Sequence, residues 1–305
     1  MAVNQPVVCA VDAGGTKTLA IVLDANGVEL ARATTGPGNY VVHEVDRVIA
    51  NVIGAIEQAV TAAGAEFPIA TVWAGMAGID RAGGFELMEA QLANLASTVR
   101  VTNDVQLPLG ALASGAGIVL IAGTGSIAFG VDRHGESARA GGWGFLIGDE
   151  GSGYDLGRQG IRAAARAADG RGVQTALLPE LMTHWNLQEP IRIIDEVYRE
   201  RDRAALAECA RLVFDAADAW DPVAMRLVQN GAAELSLAAG AVEKALDFSD
   251  SGVPLVLAGS LLVEREGYRR MVLERIEHQF DIDVVHIVEE PAMVAARFLA
   301  GGRAG

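Results

Sequence analysis

A strand, a glycine-rich turn and a second strand follow one another at two places in this chain. The first copy has apolar segments at 7–12 and 19–23 around the turn DAGGTKT, and the second has them at 117–122 and 127–131 around GTGS. Short apolar runs bounded by glycine are typical of buried strands. The repetition is visible in pattern more than in identity, and it predicts two related α/β domains.

The remaining sequence alternates between strand-like and helix-like patterns. In the first part we predict strands at 28–33, 69–73 and 99–102 and helices at 45–60 and 84–96. Asn26-Gly27 is a hairpin signal, so the first three strands are expected to be antiparallel neighbours. Further on, we predict alanine-rich helices at 154–246, a strand at 253–257 and a final helix at 292–300.

Composition excludes several classes of protein. The 305 residues, 51% of them apolar and 21% charged, suit roughly two folded domains and not a disordered chain. The 39 acidic and 24 basic residues give a net charge of −15, with no cluster of basic residues along the sequence. Nucleic-acid affinity depends on such clusters, so we expect no nucleic-acid partner. An anionic ligand would need favourable contacts at its own binding site to offset the negative net charge.

The cysteines, the uncharged segment and the N-terminus indicate the cellular compartment of the protein. Cys9 and Cys209 have neither CxxC nor CxxxH spacing, so a disulfide framework and a zinc finger are not suggested and a reducing cytoplasm fits best. Residues 105–131 carry no charge, but Pro108 and six glycines predict strand, turn and strand there instead of a membrane-spanning helix. No signal peptide is visible, and we expect a soluble protein without a membrane partner.

Both glycine-rich turns have features of phosphate-binding loops. Glycine lets the backbone point N–H groups at a ligand, and Thr and Ser hydroxyls add donors; a plain hairpin turn is the alternative for either turn alone. Gly123-x-Gly125-x-x-Ala128 has the spelling of a Rossmann fingerprint, but a strand and not a helix follows it, and GxxxxGK[ST] is absent. We therefore predict two phosphate clamps, one from each domain, that close on a nucleoside triphosphate about a hinge.

Two aspartates stand at the ends of predicted strands. Asp104 follows a strand ending at Thr102, where it could accept the proton of an alcohol that attacks a phosphoryl group, or simply cap the next helix. Asp12 adjoins the first turn, where it could orient Mg²⁺ through water or only shape the turn.

The segment GGWGFLIGDEGSG at 141–153 combines one Trp, two adjacent acids and many glycines. An aromatic plane and carboxylates on a flexible backbone suit a sugar site, whose ring faces and hydroxyls they would meet. A mobile loop with a buried Trp is the alternative. The five histidines show no metal-ligand spacing, and we assign them no chemistry.

The motifs DAGGTKT, GPGN, WAGMAG, TND, IAGTGS, GGWGFLIGDEGSGY and LAGS occur in that order. Together they resemble the N-acetylglucosamine kinase branch of the BadF/BadG/BcrA/BcrD-type ATPase family, within the actin-like, sugar kinase and Hsp70 superfamily, over nearly the whole chain. The GGWG…GDEGS block is specific, whereas each shorter motif alone is weak. The resemblance implies two ribonuclease H-like (actin-like ATPase) domains at 1–115 and 116–289, a nucleotide cleft between them, and a C-terminal helix at about 290–305 packing back on the first.

The resemblance also assigns residues to ligands. ATP would be held by Gly14, Gly15, Thr16, Lys17, Gly123, Thr124, Gly125, Ala207, Gly259 and Ser260, and Asp12 would lie near Mg²⁺, through water. The sugar would contact Asn39, Asp104, Ser126, Ile127, Gly142, Trp143, Gly144 and Asp149. Asp104 would be the catalytic base that takes the proton from the sugar 6-hydroxyl. Ile127 stands where eukaryotic members carry a polar residue, which would remove one hydrogen bond to the sugar.

The function implied is the ATP- and Mg²⁺-dependent phosphorylation of N-acetylglucosamine on its 6-hydroxyl, by a cytoplasmic homodimer. Glucosamine and N-acetylmuramic acid kinases are the nearest alternatives, and retention of both GGWG and GDEG favours N-acetylglucosamine. From other classes, the alternatives are an ATPase activator of a 2-hydroxyacyl-CoA dehydratase and a non-catalytic sugar sensor. Such activators share an iron–sulfur cluster through two cysteines per chain, and Cys9 lies inside a predicted core strand. Asp12 and Asp104 together argue against the sensor.

Overall fold

The computed structural model describes residues 6–81, 83–248 and 252–301. The chain forms two compact units, with boundaries between Val119 and Leu120 and between Ile287 and Val288. Residues 1–5 of the predicted first domain and 302–305 of the predicted C-terminal segment lie outside the described residues.

The chain has two five-stranded sheets, and each lies mainly in one unit. The first sheet consists of β1 (Val8–Ala13), β2 (Thr18–Leu23), β3 (Glu29–Thr35), β4 (Ile69–Met76) and β5 (Ala96–Thr102). The second consists of β6 (Gly117–Ala122), β7 (Ser126–Val131), β8 (Ser137–Gly141), β9 (Val253–Ala258) and β10 (Ile282–Val288).

Helices surround the sheets. They are α1 (Val45–Ala62), α2 (Gly84–Leu92), α3 (Gly153–Ala168), α4 (Leu177–His184), α5 (Ile193–Asp195), α6 (Arg203–Glu208), α7 (Ala210–Asp218), α8 (Pro222–Ala245), α9 (Ser260–Glu264), α10 (Glu266–Glu277) and α11 (Pro291–Leu299). Two 3-10 helices lie at Asp104–Ala111 and Pro190–Arg192, and a π-helix lies at Glu196–Glu200. In the described part of the chain, no helix has both the length and the apolar character needed to cross a bilayer.

The two sheets have the same strand order. The first is ordered β3-β2-β1-β4-β5, and the second, taken from its β8 end, is ordered β8-β7-β6-β9-β10. In the first, β2 is antiparallel to both β1 and β3, as predicted, while β4 is parallel to β1 and β5 to β4. The second also has an antiparallel pair at the matching edge, between β7 and β8. The sequence repeat therefore reflects a repeated ribonuclease H-like topology, and the predicted α/β class is confirmed.

The first sheet is covered on both faces. Successive side chains of a strand point to opposite faces of the sheet, so neighbouring residues of β1 belong to different cores. Cys9 and Val11 join a core that includes the buried face of α1. Ala10 joins a second core on the other face, with Trp73 and the small residues of α11. Residues 291–299 thus return to the first unit.

Some predicted elements differ from the structure. The helix predicted at 84–96 ends at Leu92, because Ala96 already belongs to β5. The uncharged segment 105–131 begins with the 3-10 helix Asp104–Ala111 and not with a strand. Strands β8 and β10 were not predicted: they lie at sheet edges, where many side chains are exposed and apolar residues do not mark a buried face.

Candidate functional site

The parallel strands of the first sheet bring two aspartates to one edge. Asp12 is the register partner of Gly75 on β4, and Gly75 is the partner of Thr102 on β5. Asp104 follows two residues later, at the start of the 3-10 helix. The carboxyl ends of parallel strands are where α/β proteins bind ligands. Asp12 and Asp104 therefore lie at the edge of the first unit best suited to a site.

Hydrogen bonds fix the start of the 3-10 helix that carries Asp104. Asn103, and not Asp104, occupies the N-cap position, with its Oδ1 accepting from the amide of Val105 at 3.2 Å. Asp104 Oδ1 accepts from the same amide at 3.0 Å. Asn103 Nδ2 donates to Asp80 Oδ2 at 2.5 Å. Asp80, which we did not predict, thus orients the residue beside Asp104.

Burial, together with repulsion from neighbouring carboxylates, raises the pKa of both aspartates; for Asp12 the repelling neighbour is Glu290. Burial is the main reason that the pKa of Asp104 rises to about 7, and the neighbouring charges of Asp12 and Asp80 add to it. Burial likewise raises the pKa of Asp12 to about 6, although Lys17 opposes the shift. Two carboxylates at one edge disfavour joint ionisation. Asp104 therefore titrates near neutral pH, as a general base should.

The first glycine-rich turn leaves backbone donors open. Gly14 N donates to Lys17 O at 3.0 Å, and Gly38 N donates to Gly14 O at 2.8 Å. Gly15 and Thr16 are exposed, and within the described residues their amides donate to no protein acceptor. Successive open N–H groups form an anion-binding concavity, so this turn has the donors that a phosphate needs.

Asn39 lies against the segment that follows β4. Its Oδ1 accepts from the amides of Val41 at 2.8 Å and Val42 at 3.2 Å, which closes an Asx-type turn. The amide of Tyr40 donates to Ala77 O at 2.9 Å. The structure thus brings Asn39 to the same edge of the first sheet as Asp104.

In the second unit, the GTGS turn is anchored to the start of α3. Gly153 N donates to Gly123 O at 2.8 Å, and Tyr154 N donates to Thr124 O at 3.2 Å. The amides of Thr124 and Gly125 donate to no protein acceptor in the described part of the chain. This turn therefore has the same open donors as the first.

Asp149 is a buried carboxylate beside that turn. Its Oδ2 accepts from Arg203 Nη2 at 2.6 Å, and its Oδ1 accepts from the amide of Ser126 at 3.4 Å. Burial raises its pKa even though the Arg203 guanidinium opposes the shift. Its backbone has the left-handed φ of 62°, which is costly for a residue with a side chain and is often found at functional sites. Arg203 was not predicted, since it stands 54 residues from Asp149 outside any motif.

The Gly-Trp-Gly segment presents its aromatic ring to solvent. Trp143 is 63% exposed, which corrects the alternative of a buried Trp, and the Arg139 guanidinium lies 5.1 Å from its ring centroid. Gly142 and Gly144 both have positive φ, of 69° and 83°. Gly142 N donates to Ser126 O at 3.2 Å, and Ile127 packs on Gly142. The residues predicted to contact sugar in this unit are therefore neighbours.

The residues predicted to border adenosine line one cavity. Ala207 and Ser260 both face a cavity of about 320 Å³ in the second unit, together with Phe214 and Leu261. A Cβ on Gly123 would lie 3.8 Å from Ser260 Oγ, so the cavity adjoins the GTGS turn. Gly259 has a φ of 85°, and a Cβ there would lie 2.5 Å from Ala122 O, so a side chain at this position would collide with β6.

The fit of a metal ion depends on Asp12. No group of three or more His, Cys, Asp or Glu side chains that could enclose a metal exists within the described residues. Mg²⁺ does not need such a cage, because it retains water and uses one or two carboxylates with substrate phosphates. Burial and neighbouring negative charges, Glu290 at Asp12 and Asp12 at Asp104, disfavour the ionised carboxylates, and a nearby dication would favour them. Asp12 therefore fits a water-mediated Mg²⁺ contact.

A repeated ribonuclease H-like sheet, with an open glycine-rich turn after the first strand of each copy, defines an actin-like nucleotide-binding protein. The profile of the BadF/BadG/BcrA/BcrD ATPase family matches residues 10–293, and the chain belongs to that family.

Comparison with individual proteins gives related names. The chain is 33% identical over 266 residues to the N-acetylmuramic acid/N-acetylglucosamine kinase of Clostridium acetobutylicum, covering 84% of this chain and 85% of that one. It is 29% identical over 313 residues to the N-acetyl-D-glucosamine kinase of Dictyostelium discoideum, covering 96% and 97%. A crystal structure from Chromobacterium violaceum, provisionally named N-acetylglucosamine kinase, superposes with a TM-score of 0.79 at 24% identity over 97% and 99% of the two chains. That structural likeness supports the fold.

Proposed function

We propose that the protein is an ATP-dependent kinase that transfers the γ-phosphoryl group to the 6-hydroxyl of N-acetylglucosamine. The observation that carries the proposal is Asp104, a half-buried carboxylate at the ligand-binding edge of a parallel sheet whose pKa lies at about 7. The names of the relatives from C. acetobutylicum and D. discoideum supply the substrate class.

In the proposed reaction, Asp104 accepts the proton of the sugar 6-hydroxyl as that oxygen attacks the γ-phosphorus. Phosphoryl transfer passes through a loose transition state, so orientation and charge stabilisation contribute more than covalent help. The Asn103–Asp80 contact holds the backbone next to Asp104 in place. Mg²⁺ would supply charge neutralisation on the phosphates, and Asp12 would hold it through water.

The nucleotide in this proposal contacts both glycine-rich turns. The open amides of Gly15, Thr16, Thr124 and Gly125 support this role, because the protein has few basic residues near its motifs. We assign the remaining phosphate contacts to Gly14, Lys17 and Gly123. We assign the adenosine to the cavity lined by Ala207 and Ser260, and Gly259 to a nucleotide contact next to Ser260.

The sugar in this proposal meets Asn39 and Asp104 of the first unit. From the second unit we assign to it Ser126, Ile127, Gly142, Trp143, Gly144 and Asp149. The exposed indole of Trp143 supports stacking on a sugar ring face. Asp149 Oδ2 accepts a short hydrogen bond from Arg203 at 2.6 Å, whereas Oδ1 accepts only a long one from the amide of Ser126 at 3.4 Å, so Oδ1 is the oxygen that we assign to a sugar hydroxyl.

N-acetylmuramic acid is a second candidate acceptor. The C. acetobutylicum relative is named for both sugars. N-acetylmuramic acid carries a lactyl group on O3 but leaves the 6-hydroxyl free, so the same base would serve both reactions.

The role of Asp104 is tested by Asp104→Asn. The variant retains the shape of the side chain but cannot take up a proton, so we expect kcat to fall by on the order of 10²–10⁴-fold with a smaller change in KM. Asp46→Asn, an exposed position in the first turn of α1, makes the same chemical change away from the site and should leave kcat unchanged. Near-normal turnover by Asp104→Asn would overturn the assignment.

We also infer a cytoplasmic location, which the supply of ATP and the two free, buried thiols of Cys9 and Cys209 support. The homodimer expected from the resemblance stays a prediction, which light scattering of the purified protein tests.

A further inference from the structure

A second cavity in the second unit is lined by arginines. It has a volume of about 480 Å³ and lies between the later turns of α3, the loop at 170–173 and the first turns of α8. Four arginines face it: Arg162 and Arg166 from α3, Arg171 from the loop, and Arg226 from α8. No Asp or Glu is among its lining residues. The fold thus brings Arg226 to three arginines that lie within ten residues of one another in the sequence.

The charge of this cluster is only partly balanced. Arg171 forms an ion pair with Asp169 at 2.6 Å, and Arg166 Nη2 donates to Arg171 O at 3.0 Å. Within the described residues, neither Arg162 nor Arg226 forms an ion pair. In a chain with a net charge of −15, carboxylates are plentiful, so two unpaired guanidinium groups at one acid-free cavity point to an anion.

This cavity is separate from the one that borders Ala207 and Ser260, and the two share no lining residue. α3 begins at Gly153, beside the GTGS turn. At a rise of 1.5 Å per residue, Arg162 lies about 14 Å along the helix from that end, and Arg166 lies about 20 Å along it. Arg162 and Arg166 are therefore too far along α3 to bind the phosphates that the GTGS turn would hold.

We propose that this arginine-lined cavity is a second ligand site, which binds a small phosphorylated anion. Guanidinium groups bind phosphate oxygens through paired N–H donors, and arginines on two helices and a loop surround the cavity with such donors. The side chain of Gln159 adds an uncharged polar group. The volume is within the usual range of about 300–1,000 Å³ for small-molecule sites. The ligand is a phosphate group, either free or carried as an ester.

Calorimetric titration tests this site. The probes are inorganic phosphate, pyrophosphate and glycerol 3-phosphate, each at constant ionic strength, added to the full chain and to Arg162→Gln/Arg226→Gln. Both arginines are exposed, so the double variant should remain folded, which its thermal unfolding checks. Arg270→Gln, a 74% exposed position on α10, is the matched control because it removes a guanidinium away from the cavity.

We expect the double variant to bind at least one probe about tenfold or more weakly, the effect of losing one or two charge-assisted hydrogen bonds. Arg270→Gln should bind as the unchanged protein does. Arg162→Lys/Arg226→Lys should bind with intermediate affinity, because it retains the charge without the paired donors. The glycine-rich turns are unchanged in every variant, so a difference in affinity between the variants arises at the arginine-lined cavity. Weaker binding of inorganic phosphate by the double variant would identify free phosphate as the ligand, and weaker binding of glycerol 3-phosphate would identify a phosphate ester. Equal binding by the unchanged protein and the double variant, or no binding by either, would overturn the proposal.

Discussion

At the scale of single residues, Asp104 and Asp12 lie in surroundings that disfavour their charged forms. An aspartate whose pKa is raised on folding binds its proton more tightly in the native state, so stability falls as the pH rises from the unfolded pKa to the folded pKa. For Asp104 this interval runs from 3.8 to about 7. Ionised Asp104 therefore destabilises the protein at and above neutral pH.

Asp104→Asn should remove this cost. In buffer without nucleotide or metal, we expect the melting temperature of the variant at pH 8 to exceed that of the unchanged protein by about 2–4 °C, roughly what 1 kcal/mol gives in a protein of this size. At pH 4.5, close to the lower end of the interval from 3.8 to about 7, the gain should be much smaller, because little of the difference in proton uptake has accumulated there. Thermal unfolding at the two pH values checks this. A gain that is equal at both values, or absent at pH 8, would contradict the electrostatic description of Asp104.

Part of the residue-level site is visible in sequence. DAGGTKT, TND and GTGS mark the ends of buried strands, and the structure places Asp12 and Asp104 at one sheet edge as that pattern implies. Asp80 and Arg203 are different, because each acts through a contact with a residue distant in sequence. The spacing of residues in the local sequence cannot predict such a contact. The roles assigned to the predicted ligand-contacting residues stay predictions.

At the scale of secondary-structure elements, α3 connects the GTGS turn to the helices behind it. Its N-cap is Ser152, whose hydroxyl accepts from the amide of Asp155 at 3.2 Å. Gly157 faces α6 so closely that a Cβ there would overlap the carbonyl oxygen of Leu206. The glycine therefore sets the separation of the two helices.

Gly157→Ala should force α3 and α6 apart and destabilise the protein by about 1–3 kcal/mol, the usual cost of overpacking. The matched control is Gly267→Ala on α10, where a Cβ would meet nothing within 4 Å. There the same substitution should be neutral or slightly stabilising, because alanine favours helix more than glycine does. Urea unfolding of both variants measures the difference. Equal effects at the two positions would contradict the packing assigned to Gly157.

The sequence predicted elements best where apolar residues are buried. β1, β2 and β9 are almost entirely buried, and α1 has one buried apolar face. β3 is only partly buried, and the hairpin signal before it indicated its position. The edge strands β8 and β10 lack a strong apolar pattern, since many of their side chains face solvent. The 3-10 helix at Asp104–Ala111 contains Pro108 and a glycine, which are signals of irregular structure. The uncharged segment that begins at 105 was therefore predicted as strand, turn and strand.

At the scale of the whole molecule, the two sheets repeat one strand order, and each contributes one glycine-rich turn. Neither cysteine lies at the surface of the protein. Cys9 is fully buried in β1, and burial raises its thiol pKa to about 12; burial also raises the pKa of Cys209 to about 11. A thiol in such a position cannot reach a cluster shared at the surface. This argues against the dehydratase-activator alternative.

The native protein should accordingly react slowly with a thiol reagent such as Ellman's reagent at pH 8. After unfolding in guanidinium chloride, both cysteines should react rapidly, because their pKa values return to the ordinary range. The time course of colour release measures this. Rapid modification of Cys9 in the folded protein would show that β1 opens easily, and it would restore the activator alternative.

N-acetylglucosamine kinase activity of the protein is tested most directly by coupled ADP release with Mg²⁺ and ATP. The acceptors to compare are N-acetylglucosamine, N-acetylmuramic acid, glucosamine and glucose, with a reaction lacking sugar as the control. We predict ADP release that depends on N-acetylglucosamine, exceeds the rates with glucosamine and glucose, and yields one equivalent of the 6-phosphate per ADP. ADP release at the same rate without sugar, or none with any acceptor, would contradict it.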